Sequence, residues 1–527
     1  MKAARDLTGD LVVLGGYRGS ILRSADPPHR QLWAPIKAGL NLRKVDLELG
    51  LNPEDEETEE KRIIPAGMLT HIGPVDIAKR LFKRLRASEN ARNGDLRVHN
   101  YGYDWRLSPH ILSRRMIEYL ETLPCNQPGV PPEKRGAVIL AHSLGGLITR
   151  HVINHRPELV AGVIYAGVPQ TCVNILGPLR NGDDVLLSSR ILTAQVNFTI
   201  RTSFALLPLD GKCFINKKTK EEYPVDFFDI ESWKEYRLSP CIAPSLPAPN
   251  AAAPTLLSAS GLLNAMSSAL PSLPGRKSSI SRGSTFNGAN GIVPSSSNAS
   301  YSSKSLLSPT TQKDKEPQPS PVRDTFRNAA EIVTEGGAQS TGMAPQMTNN
   351  HHRPNIDPSQ PQSNPATACT IPHDKAVAYL TRTLADVKKF KQELAYREEI
   401  GDGNRYPPIA LIYGKSTPTV FGAKVESKEA IKRSDVYDEL AFASGDGVVL
   451  AKAAMVPEGY SVVRGGVVSS DRGHVTLLGD LEAVGKCLNA VIEARKKGVG
   501  MGEAKKADVG QGKQRVENAE DGVMQAE

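Results

Sequence analysis

The chain has 527 residues, of which 39% are hydrophobic and 23% charged, with a formal net charge of +8 and a pI near 9.0. That length holds either two or three average domains or one large α/β domain with insertions. The basic excess is modest for the length and scattered along the chain, which argues against nucleic acid as a partner and gives only a weak pull toward an anionic membrane surface.

Met1 to Asp10 carries charge but no apolar stretch of the kind a secretory leader needs, and no run reaches the roughly 18 apolar residues of a membrane span. The six cysteines show neither a C-x-x-C pair nor metal-ligand spacing and are read as reduced thiols. The expected location is therefore cytoplasmic, with peripheral contact on membranes or lipid droplets.

Strand-like apolar runs recur at 11–14, 96–101, 137–141 and 162–166, separated by segments long enough for helices. That rhythm predicts a mostly parallel sheet with helices on both faces. The first run ends in a glycine-rich turn, Gly15 to Ser20. Pro74 to Arg86 spaces Val75, Ile77, Ala78, Leu81, Phe82 and Leu85 as one helical face, with Lys79, Arg80, Lys83 and Arg84 on a solvated basic face. A helix is expected over Gly145 to Asn154.

Residues 240–372 are rich in Ser, Pro, Ala, Asn and Gln and poor in aromatics, a composition that buries too little apolar surface to order itself. This segment reads as a disordered insertion. Order is expected to return near His373, with a helix over Ala376 to Arg397, a strand over Ile409 to Tyr413, a Gly-Asp-Gly turn at 445–447 and a last helix from Leu481 to about Lys496. The charged tail, 498–527, reads as solvated. A core made of 8–239 and 373–497 would then close into one sheet around a looped-out insertion, whose length costs little entropy.

The run Ala137 to His142 stops at Ser143, flanked by Ala141, Gly145 and Gly146, before a helix begins. This is the profile of a nucleophile elbow, a sharp strand-to-helix turn whose crowding demands small neighbours. Ala141 stands where G-x-S-x-G has its first glycine. A serine hydroxyl needs a general base, and that base needs an acid to fix its tautomer. Of the eleven histidines, His474 alone follows residue 373, beside Gly473 and just ahead of the last helix. Asp446 in the late Gly-Asp-Gly turn is the better-placed acid, Asp402 preceding the strand and so emerging at the wrong sheet edge; Asp435, Asp438 and Asp471 remain alternatives. The chain order Ser143, Asp446, His474 matches that of α/β-hydrolases. An oxyanion hole would take the backbone amides of Leu144 and Tyr17, the latter in the turn that Gly16 leaves unobstructed.

Several strings together resemble one family: Gly15-Gly16-Tyr17-Arg18-Gly19-Ser20-Ile21-Leu22, Tyr103-Asp104-Trp105-Arg106-Leu107-Ser108-Pro109, the His142-Ser143-Leu144-Gly145 elbow, Ala166-Gly167-Val168-Pro169, Gly445-Asp446-Gly447-Val448-Val449 and the late His474. They are similar to the lecithin:cholesterol acyltransferase-like group of the α/β-hydrolase superfamily, which includes phospholipid:diacylglycerol acyltransferases. The resemblance spans about 8–200 and 405–480. It implies that Ser143 takes a fatty acyl group from a glycerophospholipid or other lipid ester and passes it to an alcohol such as a sterol or diacylglycerol, or to water as a lipase or phospholipase does. It also implies a lid and lipid-docking segment at about 27–66 containing Trp33, and a site shaped by Gly16, Asp104, Trp105 and Arg106, the alternative for the last three being structural packing with Asp104 and Arg106 paired beneath the loop. Such an acyl-enzyme cycle needs neither a metal nor an organic cofactor. The competing class is a non-catalytic hydrolase-fold scaffold recognised through its insertion.

Overall fold

Six short strands meet in one central sheet: β1 (Gly9–Leu14), β2 (Leu96–Tyr101), β3 (Ala137–His142), β4 (Val160–Ala166), β5 (Ile409–Gly414) and β6 (Val467–Ser470). Their spatial order is β6-β5-β4-β3-β1-β2, and every neighbouring pair is parallel. All six residues of β3 are buried, as expected of a continuous apolar run covered on both faces. The computed structural model describes residues 6–34, 46–185, 188–249 and 365–502.

The helices that matter for the site are α1 (Lys79–Arg86), α2 (Pro109–Thr122), α3 (Leu144–His155), α4 (His373–Glu393) and α5 (Leu481–Lys496). Together with the sheet they form an α/β architecture with helices on both sides. Asp480 caps α5 by accepting the Ala483 N–H, and Arg495 and Lys496 complement the dipole at its far end. Among the described residues no helix is long and apolar enough to cross a membrane.

β5 pairs with β4 through the register Ile409↔Val163 to Ile412↔Ala166, so chain from either side of the insertion shares one sheet. The boundaries of that insertion are narrower than composition predicts. Cys241 and Ile242 are buried, Leu246 bridges to Arg433, Ala366 is buried and accepts the Ala194 N–H, and the Thr370 N–H donates to Gln195. Residues 250–364 and the tail from 503 onward lie outside the described residues.

Three other expectations are corrected. The helix expected from Pro74 begins only at Lys79, because Val75–Asp76 pairs with His71–Ile72 around Gly73, and Asp76 accepts the Arg80 backbone N–H. The expected 376–397 helix runs from His373 to Glu393. The described part of the expected lid, 27–34 and 46–66, contributes to a small antiparallel sheet of Ser20–Ser24, Gln31–Trp33 and Ile63–Met68, with Trp33 fully buried. Its acidic run folds as the helix Pro53–Thr58 and a following turn, placing Glu56 and Glu59 inside rather than on a docking surface.

Candidate functional site

Ser143 leaves the carboxyl end of β3 with φ 53° and ψ −129°, a left-handed conformation that is strained for any residue with a side chain. Its own N–H donates to Ala166 O at 2.9 Å, and α3 starts at the next residue. The crowding explains the small neighbours. A Cβ added to Gly145 would lie 2.5 Å from Gly15 O, and one added to Gly16 would lie 2.4 Å from Ser143 Cβ and 2.9 Å from its Oγ. Gly16 therefore rests directly on the serine, with Tyr17 following in the same turn.

His474 opens a short 3-10 turn after β6 and is buried. Its Nε2 lies 2.9 Å from Ser143 Oγ, and its Nδ1 lies 2.8 Å from Asp446 Oδ2. Asp446 is held by its other oxygen, Oδ1, which accepts the Val448 and Val449 N–H groups at 3.0 and 2.7 Å. The His474 N–H in turn donates to Asp446 O at 2.8 Å, which joins the two loops through the backbone as well. The three side chains drawn from distant parts of the sequence thus form one hydrogen-bonded chain, and all three are buried. Asp402 instead lies in the short helix Glu398–Asp402.

Asp446 does not follow β5 directly. An antiparallel hairpin of Thr417–Val425 and Leu440–Gly445 intervenes, and its return brings Asp446 back against the end of β5, where a Cβ on Gly414 would sit 2.5 Å from Asp446 Cβ. This detour has no signature in apolar periodicity beyond a short alternating run.

The His142 ring lies 4.7 Å from that of His474, centroid to centroid. Its Nε2 is 2.9 Å from His474 O, so the Nε2–H donates and the neighbouring loop is fixed. Burial, with His474 as second cause, pushes its pKa down to about 3, which keeps it neutral near pH 7. Its position next to Ser143 in the sequence was the available signal.

The site opens into a narrow, mostly apolar cleft with about 20 Å³ of free space, room for little more than a water, whose walls include Met68, Leu69, Ile77, Leu206, Val448 and Val475 beside Tyr17 and Ser143.

Trp33, Asp104, Trp105 and Arg106, expected to shape the site, do not line this cavity; they support the turn that does. Trp33 Nε1 donates to Arg18 O, Trp105 Nε1 to Ser20 O and the Tyr103 hydroxyl to Gly15 O. Arg106 is fully buried and grips Asp104 with Nε and Nη2 at 2.9 and 2.6 Å while Nη2 also reaches Glu59 at 2.7 Å. Removing the cation would leave buried Asp104 without a counter-ion, while Glu59 would keep only the half-exposed Arg62. Arg106→Met is accordingly expected to cost about 3–5 kcal/mol of stability, seen as a lower urea midpoint; an unchanged midpoint would contradict this role.

No protein-family model matches the chain. It is 37% identical over 496 residues to an uncharacterized protein of Saccharomyces cerevisiae, an alignment covering 94% of this chain and 63% of that relative. The chain thus spans less than two thirds of the length of the curated relative it matches.

Proposed function

We propose that the chain is a serine-dependent O-acyltransferase of α/β-hydrolase fold, related to the lecithin:cholesterol acyltransferase-like group, that moves a fatty acyl group from a glycerolipid to an alcohol. The observation that carries this reading is the hydrogen-bonded chain from Ser143 through His474 to Asp446, set at the carboxyl ends of the parallel strands. Ser143 follows β3 and the Gly15-Gly16 turn follows its neighbour β1, while β2 lies beyond β1; ligands of open parallel sheets bind in such crevices, where the strand order reverses.

In the proposed cycle His474 Nε2 takes the Ser143 proton as Oγ attacks the ester carbonyl, then gives it to the departing lysolipid oxygen. Asp446 accepts from His474 Nδ1–H, which directs the lone pair of Nε2 at the serine and steadies the imidazolium. The Leu144 N–H, at the positive end of α3, and the Tyr17 N–H donate to the oxyanion; the loss of one such donor typically costs about 100- to 1000-fold in rate. The acceptor alcohol then attacks the acyl-serine carbonyl, its proton passes to His474, and Ser143 is released.

The acyl chain would enter along the apolar cleft, whose walls must part to admit it. Burial of Ser143 and His474 beneath its walls favours an alcohol over water as the acceptor, because the acyl-enzyme is shielded from solvent. The donor and acceptor are both bilayer molecules, so the enzyme would work at a membrane or lipid-droplet surface.

Mass spectrometry after incubation with phosphatidylcholine plus a sterol or diacylglycerol tests the assignment. New steryl ester or triacylglycerol, absent with Ser143→Ala, is the expected result. Free fatty acid alone would make the protein a lipase or phospholipase, and products indistinguishable from the mutant's would overturn the reading in favour of the scaffold.

A further inference from the structure

We propose that His110, His151 and Glu393 form a binding site for a divalent transition-metal ion of the zinc class, separate from the serine site. The three residues come from α2, α3 and α4. His110 Nε2 lies 2.7 Å and His151 Nε2 lies 3.0 Å from the same Glu393 oxygen, Oε2, and the donor atoms of all three fall within 4.8 Å of one another. Two imidazoles and one carboxylate are the donor set of open tetrahedral zinc sites, which leave the fourth position to water. Tetrahedral ligands at zinc distances stand about 3.3 Å apart, so seating the ion requires Glu393 Oε2 to draw back by about 0.6 Å from His110 Nε2 and about 0.3 Å from His151 Nε2, with both nitrogens giving up their protons.

The surroundings fit a coordination site. His151 Nδ1 is 2.8 Å from Ser113 Oγ, the outer partner that fixes the tautomer and ring plane of a ligating histidine. Phe390 stacks on the His151 ring at 4.9 Å and meets the His110 ring edge-on at 5.4 Å, giving the site an apolar backing. His110 and Glu393 remain 34% and 24% exposed at the side chain, which leaves an entry path from solvent, whereas His151 is 8% exposed. The lysine that approaches Glu393, Lys389, does so at 3.9 Å through the other oxygen and is itself 72% exposed.

Such an ion would clasp the helix that follows Ser143 to the first helix described after the insertion. His151 lies eight residues beyond Ser143, about 12 Å along α3 at the helical rise, so the ion would brace that helix without touching the reacting atoms. The bland alternative is a histidine–glutamate–histidine hydrogen-bonded cluster that never takes a metal.

The test uses the full chain, freed of metal by dialysis against EDTA. Zinc binding is followed by calorimetry and by elemental analysis, the cobalt-substituted protein by its visible absorption, and stability by thermal melting. The expected result is one zinc ion per chain, a tetrahedral cobalt spectrum, and a melting temperature raised by about 5 °C at a free zinc concentration a hundred times Kd. Glu393→Gln and His110→Asn should abolish all three. Metal uptake equal in wild type and variants would assign binding to other histidines, among them His351 and His352, and would overturn the site; so would the absence of uptake by the wild type. His110→Asn replaces a part-exposed residue and carries the test if Glu393→Gln fails to fold. Neither outcome depends on the chemistry of Ser143, whose reactivity is read independently.

Discussion

Ser143→Ala is expected to lower product formation by on the order of a millionfold, the loss typical when the nucleophile of a Ser-His-Asp arrangement is removed. The substitution deletes one oxygen. It leaves the φ of 53° at the elbow as strained as before and keeps every backbone bond around it, so the melting temperature should be unchanged or slightly raised. A strained, buried serine kept at the mouth of an apolar cavity has no structural use for its hydroxyl beyond the bond to His474. If activity persisted in the alanine variant, the nucleophile would have to lie elsewhere.

Asp446→Asn is expected to reduce turnover about 10⁴-fold with little loss of stability. The direction follows from which oxygen does what. Oδ1 accepts the Val448 and Val449 N–H groups, so the asparagine carbonyl must take that position. Its NH2 then faces His474 Nδ1, which can no longer donate and must accept. The ring proton moves to Nε2, pointing at Ser143 Oγ, and the base is lost although the geometry is kept. Steady-state rates measured beside circular dichroism separate this from unfolding; an asparagine variant with near-normal turnover would mean that His474 is not the base or that Asp446 does not set its tautomer.

Much of this arrangement was legible in the chain. The apolar runs that become β1, β3, β4 and β5 stand out because buried parallel strands tolerate few polar residues, the edge strand β2 stands out less because it carries Arg97, His99 and Asn100, and Ser143 stands out because an elbow needs small neighbours. His474 was found by position alone. The hairpin between β5 and Asp446 was not foreseen, since its strands alternate weakly and Phe442 is exposed. Nor was the small antiparallel sheet around Trp33, whose strands are only three to six residues long.

Charged residues were the least readable. The Asp104–Arg106 pair is local and was legible as a packing alternative, but Glu59 looks like a surface residue by type, and its burial against Arg106 is decided by segments distant in sequence. The same holds for His110, His151 and Glu393, the last of these separated from His151 by the whole insertion, where no local spacing advertises a cluster. Composition overran the ends of the expected insertion, because Cys241, Ala366 and Thr370 belong to segments of polar, proline-rich composition while packing against ordered neighbours. Tertiary contacts there supply what local sequence lacks.

The central claim is that His474 makes the Ser143 oxygen a nucleophile, and covalent labelling tests it most directly. Intact-mass spectrometry of the full chain treated with a fluorophosphonate, followed by peptide mapping, should find a single adduct on Ser143, absent in Ser143→Ala and formed far more slowly in Asp446→Asn. An unlabelled wild type, or an adduct that persists when Ser143 is alanine, would contradict the account.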